Sequence, residues 1–184
     1  MLSNKLIQMI RELTDIGSKF KPHKLLAVLT VVQLARENKI TDKKVYYDDD
    51  FRIRFTNLFL NYADGWDRNR PHNPFFHLRT SGFWKLVPVK GCEKELDSVS
   101  SIGGPGDIKR LVAYVELTPE LYAVIKDKDL RNQLEEEVIR CLIDGKESRS
   151  RAMLINNEME NKSLFEHENN AINEIEQRME NKGL

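Results

Sequence analysis

The chain has 184 residues, of which 40% are hydrophobic and 32% charged, and its formal net charge is zero. This length and composition indicate a soluble globular protein with one domain that buries a real core, and with room for an appendage. The longest apolar run, Leu25–Val32, is far shorter than the roughly 20 residues of a membrane-spanning helix, which argues against a transmembrane segment.

The N-terminus and the two cysteines favour a cytoplasmic protein. Charged residues are scattered along the first 17 residues, which lack the apolar core and cleavage site of a signal peptide. Cys92 and Cys141 lie 49 positions apart without a CxxC motif or clustered histidines, so neither a disulfide framework nor a zinc site is expected. We therefore expect a reducing location, with no metal and no cofactor.

The zero net charge conceals a difference between the two halves of the chain. Residues 1–90 contain 16 Lys and Arg against 9 Asp and Glu, a balance of +7, whereas residues 91–184 contain 13 against 20, a balance of −7. Between Arg52 and Lys90 seven cations accompany only two acids. A field of this sign attracts polyanions such as nucleic-acid phosphates, although a solvated basic face without a ligand has the same composition.

The first 40 residues predict two helices. A first helix that ends near Gly17 is indicated by apolar residues at spacings of three and four, namely Leu6, Met9, Ile10, Leu13 and Ile16. The next run, LLAVLTVVQLARENK, is apolar on nearly all sides and predicts a helix at the centre of the core. Pro22 is expected in the first turn of that helix, among Lys21, His23 and Lys24.

Cations at a helix N-terminus are unfavourable for the helix itself, because they face the positive end of its dipole. A bound phosphate would reverse this penalty, since free backbone N–H groups and a partial positive charge are available there. The other interpretation is that His23 and the lysines simply extend into water.

The middle of the chain predicts a third helix, a loop and a hairpin. Acids at the start of DDDFRIRFTNLFLNY and apolar residues at helical spacing predict a helix capped by Asp48 or Asp49, an explanation we prefer to a magnesium site. Residues 63–74 are rich in Gly, Asp, Asn, Arg and Pro and predict a loop. FFHLR and FWKLVPV are interpreted as two short strands joined by Thr80-Ser81-Gly82.

The second half predicts one strand followed by helices. Residues 92–107 are polar and flexible in character, and their glycines lack the spacing of a nucleotide-binding loop. LVAYVEL indicates a strand, Thr118-Pro119-Glu120 indicates a helix start, and helices are expected at about 119–126 and 128–143. The polar tail predicts a long helix or broken helices with sparse apolar anchors at Met153, Leu154, Leu164, Phe165, Ile172, Ile175 and Met179.

Catalysis has no clear sequence signature in this chain. The string Asp144-Gly145-Lys146 is only a weak match to a metal-dependent nuclease motif, and the four histidines do not follow an HNH pattern. A Gly-x-Ser-x-Gly motif is absent, and no Cys/His nucleophile pair is evident. We therefore expect no enzymatic activity.

Three stretches together resemble a known family. KPHKLLAVLTVVQLA, RPHNPFFHLRTSGFWKL and the later GGPGD with LVAYVELTPELYAVIKDKDLRNQLEEEVIRCLI are similar to the sulfur-binding domain of type IV, HNH-associated restriction endonucleases. Those enzymes recognise phosphorothioate-modified DNA. The resemblance covers about residues 15–143, and the nuclease part of the family has no counterpart in this chain.

The resemblance also implies roles for individual residues. Asn73 and Pro74 match positions that contact the sulfur, although tyrosine is more usual at the first of them. His23 and Lys24 match positions that hold the modified phosphate, and His77 stands where the family tends to have a DNA-contacting arginine. The sulfur pocket is expected to consist of His23, Asn73 and Pro74. The expected DNA-binding residues are Lys21, Pro22, His23, Lys24, Asn73, Pro74, His77, Arg79, Thr80, Ser81, Gly103 and Gly104.

Each of these residues also has a purely structural interpretation. The aromatic residues of RPHNPFFHLRTSGFWKL can belong to the core, and Pro74 can be a strand-edge proline. His77 can be a structural histidine, and Arg79 and Lys85 can be solvated charges.

The sequence thus predicts a predominantly helical α+β fold, with helices around a small antiparallel sheet or hairpin. Residues 1–147 are expected to form the DNA-recognition domain and residues 148–184 a polar helical extension. The expected function is non-catalytic recognition of double-stranded phosphorothioate DNA in a bacterial restriction-modification system. The alternative is an interaction or regulatory module that binds DNA without sulfur selectivity. A nuclease partner, or self-association through the extension, is possible, and no membrane partner is expected.

Overall fold

The structure is a computed structural model that describes residues 1–14 and 19–181, without the side chains of 172–176 and 178–181. Over these residues it contains eight α-helices, one 3₁₀ turn and a three-stranded antiparallel sheet, which confirms the predicted fold class. The helices are α1 (Asn4–Arg11), α2 (His23–Arg36), α3 (Asp49–Tyr62), α4 (His72–His77), α5 (Glu93–Ser98), α6 (Pro105–Leu111), α7 (Pro119–Lys126) and α8 (Lys128–Asn181). The strands are β1 (Lys44–Val45), β2 (Trp84–Pro88) and β3 (Val112–Leu117), and the 3₁₀ turn is Leu78–Thr80.

Helix α2 forms the centre of the core, as its all-round apolar sequence predicts. Apart from the half-buried Gln33, every residue from Leu25 to Ala35 is buried, and Thr30 satisfies its hydroxyl by donating to the Leu26 carbonyl at 2.8 Å. Helices α3, α4, α7 and α8 all pack against it. These helices cover the sides of α2, so at its beginning the first turn is the part that stays accessible.

The sheet is small and has β3 at its centre. Strand β3 pairs antiparallel with β1 on one side and with β2 on the other, in the register Leu86 to Val115. Strands β2 and β3 were each predicted, but β2 was expected to pair with FFHLR instead of β3, and the two-residue β1 was not predicted. Within the described residues, no helix is both long and apolar enough to cross a lipid bilayer.

The first helix is shorter than predicted. Helix α1 ends at Arg11, and turn-type bonds from the Leu13 and Thr14 amides to the Ile10 and Arg11 carbonyls close it. Its expected end near Gly17, together with Ile16, lies outside the described residues. Because the helix stops early, Glu12 and Leu13 lie outside it, in the segment that leads towards α2.

The predicted hairpin at residues 75–89 is confirmed in its second strand and wrong in its first. Strand β2 forms as expected, but FFHLR is helical, because Pro74 occupies the first turn of α4, where a missing N–H costs nothing. Phe75, Phe76 and Leu78 are all buried along this helical segment. Gly82, with φ of +83°, makes the turn into β2.

The segment after β2 is also more ordered than predicted. Residues 92–107, expected to be flexible, contain α5 and the start of α6. Pro105 begins α6 and Gly104 is its N-cap. The N-caps predicted for α3 and α7 are confirmed, because the side chains of Asp48 and Thr118 accept from the amides of Phe51 and Leu121.

The C-terminal helix α8 is one continuous element of 54 residues. It includes the expected helix at 128–143 and continues through the polar tail, so the long-helix alternative is the one observed. The division between residues 147 and 148 falls inside this helix and stays a prediction. Large apolar side chains are exposed on its second half, including Leu154, Ile155, Met159, Leu164 and Phe165.

An arginine just after that division binds the helix to the body of the fold. Arg149 is 4% exposed, and its guanidinium donates to the carboxylates of Asp64 at 2.6 Å and Asp67 at 2.8 Å and to the Phe20 carbonyl at 3.0 Å. Lys146 adds an ion pair to Asp64 at 2.8 Å. We call these five residues the Arg149 cluster.

A glycine allows the helix to approach closely enough for this cluster to form. A Cβ atom at Gly145 would lie 2.2 Å from the Phe20 ring, and Phe20 is buried, so the ring has no room to move away. The residue that follows Phe20 in the chain is Lys21, at the approach to α2. The Gly145 contact and the Arg149 bonds therefore fix both the approach to α2 and the loop after α3.

The Arg149 cluster also determines the ionisation of its acids. Burial alone would raise the pKa of Asp67, but hydrogen bonds from Arg149 and from the Asp64 amide outweigh burial and lower that pKa. For Asp64, the opposing effect of burial is likewise outweighed by Lys146 and Arg149, and the pKa is lowered. A carboxyl group whose pKa is lowered by folding stabilises the fold at pH values above its pKa in the unfolded chain. This stability is lost as the pH falls through its pKa in the folded protein.

We predict that Arg149→Met lowers the free energy of unfolding by about 3 kcal/mol, because it leaves two partly or fully buried carboxylates without their main partner. The loss should shrink below about pH 4, where the aspartates become protonated. Denaturant unfolding at several pH values measures both effects.

Arg151→Met is the matched control, since Arg151 is exposed on the same helix and forms only a surface pair with Glu147. It should change stability by less than about 0.5 kcal/mol. An Arg149→Met protein as stable as the control at neutral pH would contradict a structural role for the cluster.

Candidate nucleic-acid interface

The N-terminus of α2 presents cations and unpaired backbone groups together. Pro22 is the N-cap residue, one position before its expected place, and its carbonyl accepts the first helical bond from Leu26 at 2.9 Å. Within the part of the chain that the structure describes, no side chain caps this helix end, and the first turn contains no acid. Lys21 is exposed and Lys24 half-buried beside it. The free N–H groups, the helix dipole and the two lysines all favour an anion at this position.

Helix α4 places Asn73 and Pro74 opposite that helix end. Its start is defined by Pro71 at the N-cap, and Trp84 fixes its position by donating its indole N–H to the Phe75 carbonyl at 2.8 Å. Phe75 packs edge-on against Trp84 at 5.6 Å between ring centroids, so the aromatic part of the sequence motif is core. The pocket residues therefore sit on a rigid aromatic base.

The two helix starts form one pocket. It has a volume of about 370 Å³, and it is lined by Glu12, Leu13, Lys21, His23, Lys24, Asn73, Pro74 and His77. We call it the α2–α4 pocket. Pro74 is buried as a residue yet contributes to this lining, which places it in the wall of an accessible cavity that also contains cations. All three residues of the expected sulfur pocket, His23, Asn73 and Pro74, are brought together here.

The orientation of His23 is set by a backbone bond. Its Nε2 lies 2.8 Å from the Arg68 carbonyl oxygen, and because that oxygen can only accept, Nε2 must carry the hydrogen. Its ring also packs against Phe59 at 5.6 Å between centroids. These contacts leave Nδ1 as the ring nitrogen that is available to another partner. Nδ1 can donate a hydrogen bond only when the imidazole is cationic.

His77, on the last turn of α4, lines the same pocket, and its surroundings disfavour the protonated form. Burial, together with the nearby charges of Lys24 and Arg79, lowers the pKa of His77 below its usual value. His72, at the start of α4, has a pKa lowered by burial and by Arg70, but it does not line the pocket. The site thus contains a histidine whose pKa is lowered by burial first and by its cationic neighbours second.

Arg79 lies outside the pocket and its guanidinium is occupied. It stacks over the Phe76 ring at 4.0 Å and donates to the Val99 carbonyl at 2.7 Å and the Leu96 carbonyl at 3.4 Å. These bonds hold the end of α5 against the 3₁₀ turn. The structure therefore gives Arg79 a structural contact, and its expected contact with DNA stays a prediction.

The remaining expected residues also lie away from the α2–α4 pocket. Thr80 lines a separate cavity of about 450 Å³ together with Arg79 and Lys85, and the Ser81 hydroxyl is buried. Gly103 and Gly104 precede α6, where the Gly103 amide donates to Asp107 at 3.0 Å. Helix α6 contacts α4, so these glycines are near the motif without lining the pocket.

Sequence reasoning missed several residues that shape the site. Glu12 and Leu13 were assigned to a helix, and nothing local indicates that they line a pocket. The Arg68 carbonyl and Arg149 act through contacts with partners at least 45 positions away in the chain, which no sequence spacing reveals. Among the described residues, no group of histidine, cysteine or acidic side chains is arranged to hold a metal ion.

Comparison with known proteins identifies the family. No curated protein matches the chain. The family model of the ScoMcrA-like DNA sulfur-binding domain matches residues 3–146, a range that contains every residue of the α2–α4 pocket. Because this match spans most of the chain, the protein belongs to the ScoMcrA-like DNA sulfur-binding domain family.

Proposed function

We propose that this protein is a non-catalytic reader of phosphorothioate DNA and that the α2–α4 pocket takes the sulfur. The observation that carries the proposal is the position of Pro74 and Asn73 in one cavity with the cationic start of α2. Family membership supports DNA with a thio-modified backbone as the ligand. We further infer that the protein acts in the cytoplasm as part of a bacterial restriction-modification system.

The selectivity of such a pocket follows from hydration. Replacing one non-bridging phosphate oxygen by sulfur gives a larger, more polarisable and less strongly hydrated atom, which an apolar wall accepts at little cost. An oxygen in the same place loses its water without gaining a hydrogen bond, at a cost of roughly 1–3 kcal/mol. That difference corresponds to about tenfold to hundredfold discrimination for each site.

Pro74 is suited to this task because its ring offers CH groups and its nitrogen offers no donor. Leu13 adds apolar surface to the same cavity. Asn73 is the residue of the wall that can donate or accept through its side-chain amide, so it is placed to affect the edge of a neighbouring base or sugar. Because tyrosine is more usual at this position in the family, we infer that this protein prefers a different base context.

The opposite side of the pocket supplies affinity for the charge that remains on the thiophosphate. Lys21, Lys24 and the free N–H groups at the start of α2 all favour an anion there. This attraction is independent of base sequence and should weaken with salt. In this proposal the start of α2 binds the phosphate, and the wall formed by α4 distinguishes sulfur from oxygen.

A second function is favoured by the exposed apolar side chains of α8, such as Leu154 and Phe165, which are 62% and 64% exposed. We infer that the helix beyond the Arg149 cluster docks a nuclease or a second copy of the chain.

We predict that a duplex with one Rp phosphorothioate outcompetes its unmodified twin at physiological salt. Pro74→Ala should reduce this preference by about 1 kcal/mol, a factor of about five, because it removes apolar surface and introduces an N–H that can serve oxygen. Competition gel shifts with the two matched duplexes measure the ratio directly.

Pro71→Ala is the matched control, since Pro71 also belongs to the start of α4 but does not line the pocket. It should keep the wild-type preference. Equal affinity of the wild-type protein for both duplexes would contradict the proposed function. An unchanged ratio of the two affinities in Pro74→Ala would show that Pro74 does not contribute to the preference for sulfur.

We predict that affinity for the modified duplex rises as the pH falls from about pH 8 to about pH 6, because a bound anion favours the protonated form of His77 and binding takes up a proton. The lowered pKa of His77 in the free protein means that its surroundings disfavour this proton before binding. His77→Gln should flatten the slope of log affinity against pH, which fluorescence anisotropy measures.

His72→Gln is the control for this experiment, because His72 has a similarly lowered pKa but lies outside the pocket. It should keep the wild-type slope. A slope that survives in His77→Gln would show that another group takes up the proton.

We predict that removing residues 152–184 leaves DNA binding within about twofold of the full chain, because this truncation keeps Arg149 and the pocket intact. Sedimentation or light scattering of the two proteins tests whether self-association depends on the removed segment. A truncated protein that stays folded but no longer binds DNA would assign the segment to the interface instead.

A further inference from the structure

The loop from Asp64 to Arg70, which we call the 64–70 loop, separates its charges by orientation. It contains two aspartates and two arginines and is neutral by sequence. The side chains of Asp67 and Asp64 are 0% and 21% exposed and pair with Arg149. Arg68 and Arg70 are exposed, and within the described residues their guanidinium groups have no hydrogen bond or ion pair. The loop therefore presents positive charge to solvent while its negative charge is buried against α8.

The same loop exposes a large aromatic residue at its tip. The Asp67 amide donates to the Asp64 carbonyl at 2.9 Å and closes a turn that has Gly65 and Trp66 at its corner. Trp66 is 71% exposed, in contrast to Trp84, which is 2% exposed in the core. An indole held in water on a fixed turn, beside two arginines, has the composition of a stacking platform for sugars or bases.

Three bonds hold the 64–70 loop beside the α2–α4 pocket. The Arg68 carbonyl accepts from His23, and the Arg70 carbonyl accepts from the Asn73 amide at 3.1 Å. The Asn69 amide group donates to the Thr56 hydroxyl at 3.0 Å and ties the loop to α3. His23 and Asn73, two residues of the pocket wall, are thus hydrogen-bonded directly to the backbone of the loop that carries the exposed arginines.

We propose that the 64–70 loop is a second DNA-contacting element, adjacent to the sulfur pocket. Arg68 and Arg70 bind phosphates next to the modified one, and Trp66 packs against a neighbouring sugar or base. Arg149 is the positioning residue, because its pairing with Asp64 and Asp67 directs the acids inward. This inference rests on the proposed function, since it assumes that the neighbouring pocket receives a DNA backbone.

The test uses the full chain carrying both Arg68→Gln and Arg70→Gln, with modified and unmodified duplexes across a salt series. Both affinities should fall about tenfold at physiological salt, and the slope of log affinity against log salt should decrease in magnitude by about two. The ratio between the two duplexes should stay at the wild-type value, because the sulfur wall is unchanged.

Arg36→Gln is the control for charge. Arg36 lies at the opposite end of α2, about 20 Å from His23 along the helix axis. It should keep the wild-type salt slope, and thermal unfolding of each variant confirms an intact fold.

Trp66 provides a second, spectroscopic readout. Since Trp84 is buried, quenching by iodide reports chiefly on Trp66, and DNA should protect it. Trp66→Ala should weaken binding to both duplexes by about threefold to tenfold, in the range expected for the loss of one stacking contact.

The results separate failure of this inference from failure of the proposed function. Unchanged affinity and salt slope in the arginine variant, with Trp66 still open to iodide in the complex, would overturn the inference even if Pro74→Ala loses its selectivity. A wild-type protein that binds both duplexes equally overturns the proposed function. A loss of affinity in the arginine variant would then still support the loop as a contact for unmodified DNA.

Discussion

Helix α2 is buried on every side from Leu25 to Leu29, and the position of the site follows from that constraint. A helix surrounded by α3, α4, α7 and α8 presents to solvent, near its start, its first turn alone. That turn carries a cluster of cations and, among the described residues, neither an acid nor a side-chain cap of its own, while Glu12 from the segment before α2 lines the same pocket. A bound anion would interact favourably with the cations and with the N–H groups of the first turn, so the start of this buried helix is the candidate phosphate site.

The pocket combines two requirements that usually oppose each other. Phosphate binding needs donors and positive charge, whereas preference for sulfur over oxygen needs a wall that offers neither. In the proposed function two helices meet these two requirements, with Lys21 and Lys24 around the start of α2 and Pro74 in the wall formed by α4. The aromatic base under Pro74, with Trp84 bonded to the Phe75 carbonyl, keeps the two sides at a fixed separation.

Local sequence was enough to predict the elements that local interactions determine. The buried α2, the capped starts of α3 and α7, and strands β2 and β3 all follow from apolar period and capping residues. The family resemblance also predicted from sequence that His23, Asn73 and Pro74 lie together. Helix α4 was missed because aromatic residues next to a proline are typical of an edge strand as well as of a first helical turn. The functions of Arg79 and Arg149 depend on carbonyls and carboxylates 17 to 129 positions away, which no local pattern contains.

The length of α8 sets a distance scale for whatever the protein recruits. From Arg149, where the helix is fixed to the body, to Asn181 it extends by about 50 Å at 1.5 Å per residue. The same span corresponds to about 15 base pairs of B-form DNA, more than one turn of the duplex. A nuclease held at the far end of this rod would therefore cut well to one side of the thio group, and its cleavage sites would be offset from the mark that recruits it.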